Sequence, residues 1–402
     1  MLKPIAGFAL ILSLTSAPLL AADEAAKAPA EGGWGGLTVT PTGQVQFIVT
    51  AYDMNDPEQN DPIVLGDPDL DEGFSIRRAR VGLEAEIHEG VEVAVELARD
   101  GRFTGGASGS SNPSLNTASL TFQRGDLPGL RMGVDRIDYG AEGSTSSKRL
   151  LMIERSVTAE TLGVNRDVGL ALFGVLGEKG DDVEGFTFRG LRYDVGAYNG
   201  SGTLFGDNNG LGDTDNGEAV GANPFGLNYV GRISADLGTK ASPKGEDNMG
   251  RASGDVTVRV GAGGYSNRTL ESRMLGYGAD LAVFVGPFNF QAEYLSRLTV
   301  PQFTDEGLPD VLDDVPSRGF YLEAGVFAVP DRVQLAARFE SYDGNTQLED
   351  SDDLMMITGA LNYYPLQTDT LKVQVNYVSR IERPADINIA NDSLYLSFGG
   401  YF

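Results

Sequence analysis

Basic side chains recur on the polar side of segments in which polar and apolar residues alternate. The most closely spaced pair is Arg78 and Arg80. If such groups face one aqueous space, their positive charges attract anions, and the planar guanidinium can hold a phosphate group through two hydrogen bonds. Further residues of this kind are Arg131, Arg192, Arg232, Arg259, Arg297, Arg338 and Lys372.

A second interpretation assigns each of these basic residues to an ion pair with a neighbouring acid, an arrangement common on polar walls. Acidic residues on the same polar sides are Glu84, Glu86, Glu92, Glu96, Asp194, Glu293, Glu323 and Glu340. The spacing alone does not decide between anion-attracting groups and local ion pairs, so both interpretations stay open here.

Catalytic chemistry has little support in this sequence. It contains no cysteine, which excludes disulfides, thiol nucleophiles and cysteine-ligated zinc. The single histidine, His88, lies beside a turn at residues 89–90, so we expect no Ser-His-acid site and no enzyme. No cofactor is expected either.

Aspartates at alternate positions give a weak indication of calcium loops. The glycine and glutamate spacing of an EF-hand is missing, so a solvated acidic loop explains them better. These candidates are Asp67, Asp69, Asp71, Asp213 and Asp215.

Alternation of polar and apolar residues is typical of β-strands. In residues 37–52, for example, Val45 and Phe47 alternate with Gln44 and Gln46. About 16 such segments occur, and many have the length of about 9 residues or more that a membrane strand requires. The pattern therefore predicts an all-β fold, an antiparallel transmembrane barrel of about 16 strands.

Connection lengths favour this barrel over a soluble sandwich. Short turns are predicted at residues 89–90 and 286–287, whereas residues 53–73, 200–222 and 299–317 form long connections. Outer-membrane barrels have short turns on the periplasmic side and long loops outside. A sandwich requires no such asymmetry.

The two ends of the chain point to export. Residues 1–22 combine Lys3 with an apolar run and small residues, as in a secretory signal peptide. We interpret residues 23–36 as a short periplasmic linker and residues 37–402 as the barrel domain. Residues 393–402 alternate and end in an aromatic side chain, which resembles the terminal strand of outer-membrane barrels. The prediction is a Gram-negative outer membrane, with its lipid as a partner.

Four sequence features together resemble the phosphate-selective porin O and P family. They are residues 74–83, residues 146–156 followed by 166–169, residues 193–200 and the terminal strand. The resemblance implies a barrel of sixteen strands, usually trimeric, in which residues 137–165 fold inward as a constriction. It also favours functional roles for the basic residues on the matched segments, which are Arg78, Arg80, Lys148, Arg149 and Arg155.

The expected function is therefore passive diffusion of small hydrophilic solutes through a water-filled channel, with a preference for anions or phosphate. Residues 135–167 hold six acidic and five basic residues, so the constriction alone does not dictate this preference. The alternatives are a non-selective or cation-preferring porin, or a closed barrel that serves as a surface structural protein or adhesin.

The acidic excess of the chain is concentrated in the predicted external connections. With 57 acidic and 31 basic residues, the net charge is -26, which opposes nucleic-acid binding. Residues 53–73, 200–222, 299–317 and 343–353 contain 22 of these acidic residues and no lysine or arginine. The remaining barrel is much closer to neutral, and this is compatible with an anion-attracting interior.

Overall fold

Strands account for most of the regular structure in the described part of the chain. The computed structural model describes residues 37–52, 73–103, 113–125, 127–177, 185–200, 227–243, 245–246, 248–268, 272–301, 314–348, 353–382 and 392–402. The predicted signal peptide and linker lie outside these residues, as does most of the predicted long connections 53–73, 200–222 and 299–317. The calcium candidates Asp67, Asp69, Asp71, Asp213 and Asp215 also lie outside them.

Alternating β-branched, aromatic and polar residues form sixteen strands, because such side chains suit a pleated surface. Their bounds are β1 Thr38–Tyr52, β2 Gly73–His88, β3 Val91–Phe103, β4 Ser114–Phe122, β5 Gly129–Arg136, β6 Arg166–Leu176, β7 Thr187–Tyr198, β8 Asn228–Gly238, β9 Val256–Arg268, β10 Ser272–Val285, β11 Phe288–Pro301, β12 Val315–Val329, β13 Val333–Asp343, β14 Leu354–Tyr363, β15 Leu371–Glu382 and β16 Ser393–Tyr401.

The sheet closes into a barrel. Each strand pairs antiparallel with its neighbours in sequence, and β1 also pairs with β16, so that Gln44 lies opposite Tyr401 and Tyr52 opposite Ser393. Closure gives every strand two partners and leaves no sheet edge whose backbone groups would be unsatisfied in a bilayer. The predicted antiparallel barrel of about 16 strands is confirmed.

The barrel is apolar on its outer face and polar inside. Val81, Val195 and Ile233 are 59%, 58% and 48% exposed, whereas the inward-facing Thr257 and Asn362 are fully buried. A water-soluble sandwich would bury the first group and expose the second. Apolar side chains on the outside and polar ones on the inside are the arrangement of a barrel surrounded by lipid.

Connection lengths follow the predicted asymmetry at most positions. Short connections at residues 89–90, 286–287 and 330–332 lie at the barrel end that carries Phe402, called here the turn end. The opposite end is called the loop end. At the first of these turns Gly90 adopts a φ of +76°, a conformation that glycine reaches without steric cost.

Two connections depart from the expected lengths. Residues 239–255 join β8 and β9 at the turn end and are called here the turn-end insert. At the loop end only residues 269–271 join β9 and β10, although the alternation predicts strands that end at 265 and restart at 276. The strands are longer because the pairing of β9 with β10 continues to Arg268 opposite Arg273.

Residues 137–165, called here the inner segment, lie inside the barrel. They contain helix α1 (Ala141–Ser144), a single 3-10 turn (Ser147–Arg149) and helix α2 (Val157–Leu162). Helix α2 packs against β11, β12 and β13. Both helices, the only α-helices among the described residues, fall far short of what is needed to cross a membrane. The inner segment therefore occupies the lumen beside β11–β13.

We predict that lipid exposure makes the outer face sensitive to charge. Ile233→Lys places an ammonium group among lipid tails and should lower the free energy of unfolding by about 2–4 kcal/mol. The matched control is Thr121→Lys, which adds the same group to the water-filled side. Urea unfolding in lipid vesicles measures both. Equal losses in the two variants would contradict the assignment of the two faces.

Candidate anion-binding lumen

A β-bulge in β2 brings two consecutive arginines to the lumen. The register between β2 and β3 shifts between Ile76 and Arg78, so Arg77 is an extra residue with no partner opposite. Bulges of this kind redirect a side chain that strict alternation would send to the other face. Both guanidinium groups reach Glu154 of the inner segment: Arg77 at 2.5 and 2.9 Å, and Arg78 at 3.0 Å.

Six arginines converge on a cavity of about 50 Å³ between the inner segment and the wall formed by β2–β6. The carboxylates of Asp100 and Glu160 also line this cavity, and two more, those of Glu154 and Asp135, pair with its arginines. Positive charge therefore exceeds negative charge by two within this group. The six residues, called here the arginine cluster, are Arg77, Arg78, Arg80, Arg136, Arg155 and Arg166.

Two members of the arginine cluster are held by backbone carbonyl groups instead of carboxylates. Arg155 donates to the carbonyl oxygens of Glu142 and Thr145 at 3.2 and 2.7 Å, and Arg136 donates to that of Ser144 at 2.9 Å. A carbonyl oxygen orients a guanidinium group without cancelling its charge. Arg80, in contrast, pairs with Asp100.

A larger cavity of about 720 Å³ opens between the arginine cluster and the turn end. Arg80, Arg136 and Arg166 line both cavities, which makes the two spaces contiguous. Acidic side chains are more frequent here, so this part of the lumen has a mixed charge. The other basic residues of its wall are Arg131, Lys148 and Arg192, and its acidic residues are Glu84, Glu92, Glu96, Asp135, Asp138 and Asp194.

Ion pairs differ among the basic residues of this larger cavity. Arg131 binds Asp194 at 3.0 Å, and Arg192 approaches Asp236 at 3.4 Å. Lys148 makes no ion pair with any residue that the structure describes. Its ammonium group is therefore available to a solute anion.

Five other basic residues, four on the barrel wall and one in the inner segment, join the inner segment to surrounding elements. Arg232 binds Asp280 at 2.7 Å and the Tyr139 carbonyl oxygen at 2.9 Å, and Lys372 donates to the Leu150 carbonyl oxygen at 2.5 Å. The other three contacts are Arg149 with Asp369 at 2.8 Å, Arg297 with the Thr161 carbonyl at 3.1 Å, and Arg338 with Glu142 at 3.1 Å. None of these five cations lines either cavity.

Wall glutamates bind the N-termini of both short helices. Glu293 accepts hydrogen bonds from the backbone N–H groups of Ala141 and Glu142 at 2.7 and 3.3 Å, and Glu340 accepts one from Val157 at 2.7 Å. The first N–H groups of a helix have no partner within the helix, and these carboxylates satisfy them. The helices are thereby anchored to β11 and β13.

Two carboxyl groups outside the strands are strongly affected by burial. Burial raises the pKa of Glu142, against the opposing effect of Arg338. Burial also raises the pKa of Glu246 in the turn-end insert well above its usual value, and the nearby carboxylates of Glu323 and Glu142 raise it further. Both groups are therefore harder to ionise than an exposed glutamate.

The structure divides the basic residues selected from the sequence into two groups. Those facing the contiguous cavities are Arg78, Arg80, Arg131, Lys148, Arg155 and Arg192. Arg149 and Arg232, selected as pore-lining, instead join the inner segment to other elements. Arg259 pairs with Asp236 at 2.9 Å. Ion pairs occur in both groups, and the anion-attracting role of the cavity-facing residues stays a prediction.

Sequence reasoning missed three arginines of the cluster. Strict alternation of inward and outward side chains places Arg77 on the lipid face, where a charged group is costly. A bulge at this position could have been predicted from that cost alone. Arg136 is the last residue of β5 and Arg166 is the first residue of β6, so both lie directly beside the inner segment. Their participation depends on how that segment folds, and the sequence gives no indication of it.

Comparison with known proteins agrees with this architecture. The model of the family described as phosphate-selective porin O and P matches residues 55–392. The chain belongs to the phosphate-selective porin O and P family. It is a porin of the Gram-negative outer membrane, and the fold and localisation expected from its sequence are confirmed. No match was found among the curated proteins.

Several solved porin structures share the fold of this porin. An anion-selective porin from Comamonas acidovorans aligns with 91% of this chain and 100% of its own, at 11% identity and a TM-score of 0.55. The outer membrane channel DcaP of Acinetobacter baumannii aligns with 93% of this chain and 100% of its own, at 12% identity and a TM-score of 0.55. The trimer form of OmpT, an outer membrane protein of Vibrio cholerae, aligns with 91% of this chain and 99% of its own, at 12% identity and a TM-score of 0.52.

We predict that Arg232 is a tether whose loss destabilises the porin. Arg232→Met leaves the buried Asp280 carboxylate without its guanidinium and should lower the free energy of unfolding by about 3–5 kcal/mol. The double variant Arg232→Met, Asp280→Leu removes both charges and should recover most of the loss. Urea unfolding measures both variants, and a double variant as unstable as the single one would contradict the prediction.

Proposed function

We propose that this porin prefers anions and that the arginine cluster is the part of the channel that selects them. The observation that carries the proposal is the excess of two positive charges around the cavity of about 50 Å³ beside the inner segment. A narrow space with fixed charge of one sign attracts ions of the opposite sign and repels those of its own sign.

The path of a solute follows from the order of the two cavities. An anion that enters from the loop end meets the arginine cluster beside Glu160 and Asn116. Arg80, Arg136 and Arg166 then carry it into the larger cavity, where Lys148 offers a charge that forms no ion pair with a described residue. In this proposal the inner segment forms the constriction, and the turn end opens toward the periplasm.

Phosphate is the narrower form of this proposal. A guanidinium group can bind two phosphate oxygens in parallel, so closely spaced arginines can pass the anion from one fork to the next. Arg136 and Arg155 are the best placed for this, because their charges are held by carbonyl oxygens and not by carboxylates. The anion selectivity of the Comamonas acidovorans porin, which shares this fold, gives further support.

We predict that Arg136→Gln with Arg155→Gln shifts selectivity toward cations. At a distance of about 6 Å in water, each lost charge weakens anion attraction by about 0.7 kcal/mol, so two should lower the chloride-to-potassium permeability ratio about tenfold. Reversal potentials in planar bilayers under a KCl gradient measure the ratio. Glutamine leaves no buried carboxylate unpaired here, since both arginines donate to carbonyl oxygens.

The matched control for this experiment is Arg318→Gln, which removes one positive charge that is exposed outside the lumen. Its reversal potential should equal that of the parent, and an unshifted potential in the double variant would overturn the proposal. Phosphate at millimolar concentration should reduce the chloride current of the parent more than that of the double variant. Steady conduction by the parent would also exclude the closed-barrel alternative.

We further propose that the porin is a homotrimer. The trimer form of the Vibrio cholerae OmpT protein shares its fold, and the apolar outer face gives a surface on which copies can associate in the membrane. We predict a protein mass three times that of the chain, measured by light scattering of the detergent-solubilised porin before heating. Heating should convert it to single chains. A monomeric mass before heating would contradict the assembly.

A further inference from the structure

A group of buried carboxylates lies where three separate parts of the chain meet. Glu142 comes from α1 of the inner segment, Glu246 from the turn-end insert and Glu323 from β12. One carboxylate oxygen of each lies within 4.8 Å of the corresponding oxygens of the other two. Each of the three residues is only 1% exposed. The three groups are called here the carboxylate triad.

The basic groups around the carboxylate triad do not balance its charge. Arg338 approaches Glu142 at 3.1 Å and Glu323 at 3.8 Å, and it also binds Glu340 at 3.2 Å. The charge of Glu246 also acts on Arg338 and that of Lys372 on Glu323, so two basic groups face four carboxylates. Ionised carboxylates that are removed from water without compensation are costly, so the site requires additional positive charge.

Glu323 supplies an independent indication of a ligand. Neither of its carboxylate oxygens accepts a hydrogen bond from any described residue, although the side chain is almost completely buried and one oxygen belongs to the triad. The Oε1 atom of Glu246 is also without a hydrogen bond, whereas its Oε2 accepts one from the Leu151 N–H at 2.9 Å. Buried polar groups are nearly always satisfied, so these oxygens are oriented toward a partner of another kind.

The chemistry of the donors identifies that partner as a hard cation. Ca²⁺ takes six to eight oxygen ligands at about 2.3–2.6 Å, so two of its ligands lie at most about 5 Å apart. The spacing within the triad fits this limit, with one carboxylate oxygen from each of the three residues. Mg²⁺ retains several waters and an octahedral geometry, which a site buried to this degree does not favour. The absence of histidine and cysteine from the triad argues against zinc.

We propose that Glu142, Glu246 and Glu323 bind one Ca²⁺ ion that joins the inner segment, the turn-end insert and the barrel wall. The ion would hold together elements that are far apart in sequence. This site is distinct from the acidic aspartate segments near residues 67–71 and 213–215, which belong to the long connections.

The test compares calcium binding in the parent, Glu323→Gln and a control. Each full-length porin, folded in detergent, is treated with EGTA, dialysed and titrated with CaCl₂ in a calorimeter, and bound calcium per chain is counted by mass spectrometry. We expect the parent to hold one more Ca²⁺ per chain than Glu323→Gln, or to bind it about tenfold more tightly. The thermal unfolding midpoint should rise with calcium in the parent and not in this variant.

Asp236→Asn is the matched control, because it neutralises a buried wall carboxylate that pairs with Arg192 and Arg259 and does not belong to the triad. It should bind calcium as the parent does. The acidic residues of the long connections are the same in all three proteins, so any calcium that they bind cancels in the comparison. If Glu323→Gln does not fold, Glu246→Gln in the turn-end insert replaces it, with the same expectation.

Three results would overturn the proposal. The first is equal calcium binding in the parent and the triad variants, and the second is the absence of a calcium site in the parent. The third is a thermal midpoint of the parent that rises on acidification and does not respond to calcium, since protons would then neutralise the triad. Competition by equimolar Mg²⁺ would overturn the assignment of the ion to Ca²⁺.

Discussion

The lipid environment imposes the constraint on which the whole structure depends: each backbone N–H and C=O group within the bilayer must find a partner in the protein. Pairing of β1 with β16 meets this requirement by closing the sheet. Closure in turn fixes two faces, and the outer one must be apolar. Most charges carried by the strands are therefore directed into one enclosed space, where many of them pair with each other or with the inner segment.

This concentration of charge explains why the inward-facing cations have two different roles. Where a carboxylate lies opposite, as Asp280 does for Arg232, the pair acts as a structural link. Where the guanidinium donates to carbonyl oxygens, as for Arg136 and Arg155, the hydrogen bonds do not cancel its charge. The arrangement of acceptors, more than the number of arginines, distinguishes the part of the lumen that we propose attracts anions from the part that holds the inner segment.

Strand positions could be predicted because a single period governs them: polar residues face inward and apolar residues outward along the whole barrel. The prediction failed where that period is interrupted, as at the bulge beside Arg77, or where strands pair beyond the apparent end of alternation, as in β9 and β10. The role of Arg149 could not be predicted, because its partner Asp369 is more than 200 residues away and meets it only through the path of the inner segment.

The wall holds the centre of the inner segment mainly through the main chain. Lys372 donates to the carbonyl oxygen of Leu150, Asn362 and Gln374 to that of Leu151, and Arg78 to that of Ile153. These contacts do not depend on which apolar side chains the segment carries. Its residues can therefore diverge during evolution as long as their volume is kept, while the wall donors conserve its course. A channel built in this way can acquire new solute preferences without redesigning its barrel.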